Sequence, residues 1–188
     1  MEVYHIYGPW DDGIALSEYT VSSTYIGNDE AGKPQFRNDY TELGELINKL
    51  KYRNDMSVLV PLLDIVNPIL GEWFHDKYID TIIPVPPTKQ RKIQPVFLLA
   101  KTIAARYGFR YYLDVLQNSS QIEAKSRNRP DARDNTFSQT KFASREQNIL
   151  LLDDIYKTGK TLQACATVLR QDPLIHNIYA LAITKTRL

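Results

Sequence analysis

Four consecutive aliphatic residues, Ile149-Leu150-Leu151-Leu152, run directly into two acids, Asp153-Asp154. Ile155-Tyr156-Lys157 then lead into Thr158-Gly159-Lys160-Thr161-Leu162. An unbroken apolar run of this length reads as a strand buried on both faces, the environment of a helix-covered parallel sheet. Leu162, Cys165, Ala166 and Leu169 supply one apolar helical face straight after the loop. The unit is therefore strand, short loop, helix. It places Asp153 and Asp154 at the carboxyl edge of the sheet, where ligands bind in open α/β folds.

The rest of the chain fits that frame. Tyr78–Ile83 reads as a short strand stopped by Pro84-Val85-Pro86-Pro87. The apolar spacing from Ile93 to Tyr107 predicts a helix ended by Gly108, and Phe109–Leu113 a further strand. Ile175–Ile183 is the last strand expected. Alternating strands and helices predict an α/β fold with a twisted, mainly parallel sheet flanked by helices. Upstream, Leu43, Leu46, Ile47 and Leu50 mark a helix that Asp39 and Glu42 would open as a capping box. A second stripe runs from Leu59 to Phe74, with Pro61 in its first turn and Pro68 expected to kink it. Residues 14–26 read as extended and 27–34 as a turn cluster, so residues 1–38 are expected to form a β-hairpin hood over a core of residues 39–188. Residues 117–147, polar and free of glycine, read as a long flexible loop or a small excursion.

Composition narrows the function classes. The 188 residues suit one compact domain. Cys165 is the only cysteine, which excludes a disulfide framework and fits a reducing cytoplasm. No apolar run approaches the roughly 18 residues of a membrane span, and the amino-terminal residues do not read as a secretory signal. A net charge of +1 implies no bulk affinity for nucleic acid. Residues 81–113, however, carry six basic side chains and no acid, either a local field for a small anion or a solvated basic face. His5, His75 and His176 have no metal-ligand spacing. Trp10, Tyr19, Tyr25 and Phe36 are expected in the core rather than stacked on a ligand.

The chemistry sits in the loop. At a helix start, unpaired backbone N–H groups and the helix dipole both favour an anion. Gly159 permits close backbone approach, and Thr158 and Thr161 add hydroxyls. One ligand end is thus expected to be a phosphate. The other is something two carboxylates hold, and a ribose diol fits. A P-loop is excluded because Asp154 stands where its first glycine is required. A Walker B strand would lack its Walker A partner. A receiver domain would need a further acidic cluster. A structural cap is disfavoured, since two adjacent acids repel and one would suffice.

The apolar run, the two acids and the Thr-Gly-x-Thr loop resemble the phosphoribosyl pyrophosphate (PRPP) signature of type I phosphoribosyltransferases. The wider pattern is similar to the ComF family, from about Tyr40 to the C-terminus. It includes Leu46–Tyr52, Ile83-Pro84-Val85-Pro86, Arg91 with Leu99-Ala100, Gln121, the Arg133/Asn135/Phe137 stretch, and Asp153 to Thr161. Proteins of that family usually start with a four-cysteine zinc module, which one cysteine cannot form. Of an Arg-Gly-Phe-Asn-Gln tract only Arg91 is kept, and Lys157 and Lys160 replace a threonine and a small residue.

The resemblance implies a type I phosphoribosyltransferase-like fold and a Mg²⁺-dependent, PRPP-using enzyme. Lys157, Thr158, Gly159, Lys160 and Thr161 would hold the 5-phosphate. Asp153 and Asp154 would hold the ribose hydroxyls and, through water, Mg²⁺. Lys89, Arg91 and Lys92 would bind pyrophosphate, with Arg91 counted with the two aspartates in catalysis. Arg127, Arg129 and Arg133 would sit on a lid. The partners implied are PRPP and a small-molecule acceptor, with a homodimer allowed and no membrane; a nucleic-acid or DNA-processing partner enters only through the ComF likeness. Three readings stand: an enzyme, a non-catalytic PRPP or nucleotide sensor acting in DNA uptake, DNA processing or regulation, and an unrelated α/β protein with a chance acid pair.

Overall fold

The computed structural model describes residues 2–88, 91–119 and 136–187. Its centre is a six-stranded sheet of β1 (Tyr4–His5), β2 (Asp12–Ala15), β5 (Thr81–Pro84), β6 (Arg110–Tyr111), β9 (Gln147–Tyr156) and β10 (Ile175–Lys185), in the order β1-β2-β10-β9-β5-β6. Every pairing in it is parallel except β1 with β2. Two antiparallel ribbons stand apart from it: β3 (Thr20–Asn28) with β4 (Pro34–Tyr40), and β7 (Leu116–Asn118) with β8 (Phe137–Gln139).

β9 is the central strand, and Ile149 to Ile155 are all buried in it. That is the burial expected of an apolar run with helices on both faces. One face carries α1 (Glu42–Tyr52), α2 (Leu59–Phe74) and α3 (Pro95–Tyr107), which pack on one another. The other carries α4 (Lys160–Leu169), against which β8 packs. From β5 the chain moves outward through α3 to β6. From β9 it moves the opposite way through α4 to β10. The boundary between β5 and β9 is therefore a topological switch point, and a crevice opens at the carboxyl ends of these two strands.

Local expectations hold for α3, which starts with Pro95 at its first turn and ends at Gly108 with φ +75°. Others shift. α1 is capped by Thr41, not by the Asp39/Glu42 box: the Thr41 hydroxyl accepts from the Gly44 N–H at 3.0 Å, while Asp39 is held in β4 and accepts from Ser22 at 2.6 Å. Pairing with β3 competes for Asp39 and wins. A side chain at Gly44 would sit 1.9 Å from the Tyr19 carbonyl oxygen, so glycine is what lets this cap close on the β3 segment. α2 continues through Pro68 as one helix. Strands β5 and β6 are shorter than expected, and among the described residues the 116–147 stretch carries two short strands, β7 and β8.

The expected hood of residues 1–38 divides. β1 and β2 join the main sheet, because Ile14, Ala15 and Leu16 are apolar enough to be buried beside β10. Only β3 and β4 project as a hairpin. Trp10 is core, as expected, but Tyr25 and Phe36 are more than half exposed and meet edge to face on that hairpin at 5.7 Å. Met56–Phe74, 19 residues with a mean hydropathy of 1.3, is long and apolar enough to cross a membrane by length and composition, against the expectation from sequence. Asp64 and Glu72 interrupt it, and Leu62, Val66, Leu70 and Phe74 seat it in the core.

Candidate functional site

The crevice at the switch point is a cleft of about 350 Å³. β9 supplies Asp153 and Asp154, the following loop and helix start supply Lys157 to Leu162, the loop after β5 supplies Val85 to Thr88, and Arg91 and Gln94 come from the entry to α3. The end of α1 adds Lys51 and Tyr52. All five expected phosphate-loop residues and both acids line this one space.

The aspartates lie inside β9 rather than just beyond it, since the strand continues to Tyr156. Neighbouring strand residues face opposite sides. Asp154 accordingly meets α1, pairing with Lys51 at 2.7 Å with both side chains nearly buried. Asp153 lies toward α4, where its charge acts on the Cys165 thiol. Burial pushes the Asp153 carboxyl up to about 8; the Asp154 charge adds to this and Lys51 opposes it. Its Oδ1 also accepts from the Asp154 N–H at 2.8 Å. Burial raises the Cys165 thiol too, so this cysteine is inert packing.

The loop leaves a helix start open to the cleft. Gly159 has φ +75° and ψ −10° and opens α4, and no side chain caps that helix. The first N–H groups of α4 thus have no side-chain acceptor capping them. A Cβ at Gly159 would be strained by φ and would meet the Tyr156 hydroxyl at 2.5 Å. The loop is tied down from β10: the Thr186 N–H donates to the Tyr156 carbonyl at 2.9 Å and its hydroxyl to the Lys157 carbonyl at 3.4 Å.

Of the expected pyrophosphate residues, Arg91 lines the cleft and its guanidinium lies 5.9 Å from the Tyr52 ring. Lys92 is exposed and outside the lining, because the irregular stretch before α3 turns successive residues to different sides. Lys89, Arg127, Arg129 and Arg133 fall outside the described residues. Lys51 is the residue that motif reasoning missed. A signal existed: Leu43, Ile47 and Lys51 fall at i, i+4 and i+8, which puts a charge in line with a buried stripe.

Among the described residues no cluster of three or more histidine, cysteine or acidic side chains could hold a metal. Two carboxylates suit a Mg²⁺ ion that keeps its waters and takes other ligands from phosphate groups. They do not suit an ion caged by protein alone.

The fold is that of the type I phosphoribosyltransferases. An adenine phosphoribosyltransferase superposes with a TM-score of 0.50, at 17% identity, over 88% of this chain and 87% of its own. The Saccharomyces cerevisiae adenine phosphoribosyltransferase, complexed with D-2,5-dideoxy-2,5-imino-altritol 1,6-bisphosphate and adenine, gives 0.48 at 16% identity, over 87% and 85%. In sequence the chain is similar to a competence protein. It is 24% identical over 126 residues to competence protein ComFC of Bacillus subtilis (strain 168), a stretch covering 66% of this chain and 52% of the relative. It spans about half the length of that protein. No protein-family profile matches it.

Proposed function

We propose that the chain is a PRPP-binding, phosphoribosyltransferase-like protein that transfers phosphoribosyl from PRPP to a nitrogenous base with Mg²⁺. One observation carries this reading: a carboxylate pair and an uncapped helix start line the same cleft. Their chemistry matches the two ends of a ribose 5-phosphate. Lys157 to Thr161 hold the 5-phosphate through backbone N–H groups, hydroxyls and two ammonium charges. Asp153 and Asp154 accept from the ribose hydroxyls. Arg91 neutralises the pyrophosphate as it leaves. The C1–O bond to pyrophosphate breaks, a bond from C1 to the acceptor nitrogen forms, and the acceptor's proton is released. Mg²⁺, when bound, neutralises charge on the pyrophosphate oxygens, and Asp153 and Asp154 would hold it through water. The remaining work is positioning and charge neutralisation in a partly desolvated cleft. The lone buried Cys165 suits a cytoplasmic setting.

Calorimetry with PRPP and Mg²⁺, followed by pyrophosphate release against a panel of nucleobases, tests the reading. Saturable binding and base-dependent release are expected, both lost in Asp154→Asn. No binding at millimolar PRPP overturns it. Binding without release selects a second reading, a sensor of PRPP or nucleotide acting in DNA uptake, DNA processing or regulation. The likeness to ComFC supports that alternative. The ion pair gives it further support: Asp154 is already held by Lys51, which suits a carboxylate that binds rather than one that shuttles a proton.

A further inference from the structure

A second cleft, of about 200 Å³, opens where the β7–β8 ribbon meets the edge strand β6. It shares no residue with the first. Two independent features mark it. Among the described residues, just two buried side-chain atoms lack a hydrogen-bond partner, Nη2 of Arg110 and Oε1 of Gln139, and both residues line this cleft. The Gln139 amide cannot be turned to relieve the problem. Its Nε2 already donates to Asp172 at 2.8 Å and to the Lys141 carbonyl at 3.0 Å, which fixes Oε1 as the unmet acceptor. Arg110 Nη2 lies 3.9 Å from Asp80, an ion-pair distance too long for a hydrogen bond. Buried groups of this kind are normally satisfied, so one unmet donor and one unmet acceptor at a cavity point to something that supplies the complement.

The lining settles what that is. Among the described residues it contains Arg110, Lys141 and Arg145 and no carboxylate. Asp80 and Asp114 stand behind Arg110 and Lys141 as their counter-ions, and Arg145 has no acidic partner among the described residues. Phe142 and Tyr112 are 70% and 44% exposed at the same cleft. The space falls below the roughly 300–1,000 Å³ of usual ligand pockets, so it takes a single ring system and leaves the remainder at the rim.

We propose that this cleft is a binding site for a nucleoside monophosphate. Both atoms are closed to solvent, so the base enters between the aromatic side chains as the lining shifts to uncover them, one of its N–H groups donating to Gln139 Oε1 and a ring or carbonyl acceptor accepting from Arg110 Nη2, while the phosphate lies at the exposed rim with Arg145 and Lys141. Every nucleobase carries a donor and an acceptor on one edge, so this pair selects a base over a simple anion.

Calorimetry with AMP, GMP, UMP and CMP tests the site without recourse to PRPP chemistry. The titration uses Gly159→Val, whose phosphate loop is blocked, so that failure here is distinct from failure of the proposed function. Saturable binding of at least one nucleotide is expected in Gly159→Val. It weakens tenfold or more in Gly159→Val/Arg145→Glu, and likewise in Gly159→Val/Arg110→Leu. Arg145 is exposed and has no acidic partner among the described residues, so that variant keeps its fold; circular dichroism checks both. Three results overturn the proposal: no nucleotide binding at millimolar concentration, binding indifferent to both cleft substitutions, or inorganic phosphate alone binding as tightly as the nucleotides. The first would leave an ordered water as the partner of Arg110 and Gln139.

Discussion

Lys51 and Asp154 are 103 residues apart in sequence and 2.7 Å apart in space. Removing one partner of a nearly buried pair leaves an uncompensated charge, at a cost of about 3–5 kcal/mol. Lys51→Met is therefore expected to lower the thermal midpoint measurably and to weaken PRPP binding, because Asp154 then repels the anionic ligand. Lys51→Arg restores charge and is expected to recover most stability. Calorimetry and thermal unfolding check both, and an unchanged midpoint in Lys51→Met would show the pair to be incidental. Gly159 makes a contrasting case. Gly159→Val is expected to abolish phosphate binding while circular dichroism stays unchanged, since its φ of +75° and the nearby Tyr156 hydroxyl penalise a side chain only within the loop. Both acids and all five loop residues were legible in sequence because they are contiguous. Lys51 was not, because partnership across a sheet face leaves only the indirect trace of a charge on an apolar stripe.

At the scale of elements, sequence pattern was sufficient where burial is uniform and insufficient where pairing decides. The existence of β9 and α4 read correctly from their apolar positions, although β9 runs four residues past the expected end at Leu152. β1 and β2 did not, because a two- or four-residue strand has too few side chains to state its period, and its place beside β10 is set by hydrogen bonding. The β7–β8 ribbon depends on Asp172, whose carboxylate accepts from the Ala143 N–H at 2.7 Å, the Leu174 N–H at 3.1 Å and Gln139 at 2.8 Å. Burial works to raise its pKa, but these donors outweigh it and hold the carboxyl below the usual aspartate range. Its contribution is present above the unfolded value and lost as pH falls through the folded one. Asp172→Ala is expected to cost about 1–3 kcal/mol near neutral pH and progressively less below pH 4. Denaturant unfolding at several pH values measures this, and a pH-independent loss would deny the carboxylate its role.

Across the whole molecule the two ends of the acid range pull in opposite directions. Asp172 favours ionisation. Asp153, in the centre of the sheet, favours protonation, with a folded value of about 8 against 3.8 for the ordinary carboxyl. A raised value means stability fully present below the unfolded pKa and withdrawn as pH climbs toward the folded one. Between about pH 4 and pH 8 the unfolded chain gives up this proton while the folded chain retains it, so the protein loses stability across that window and levels off above it. A site that must hold a carboxylate in an apolar sheet is thus expected to be stabilised by losing it, the usual opposition between function and stability. Asp153→Asn, compared with the unaltered chain in chelator and without PRPP, should unfold at a higher temperature. The gain should be small at pH 4, grow up to about pH 8 and then stay constant. Thermal unfolding at intervals of one pH unit decides it: a gain that is absent, or that shrinks as pH rises, would mean that Asp153 is ionised in the folded chain and that Lys51 balances both acids.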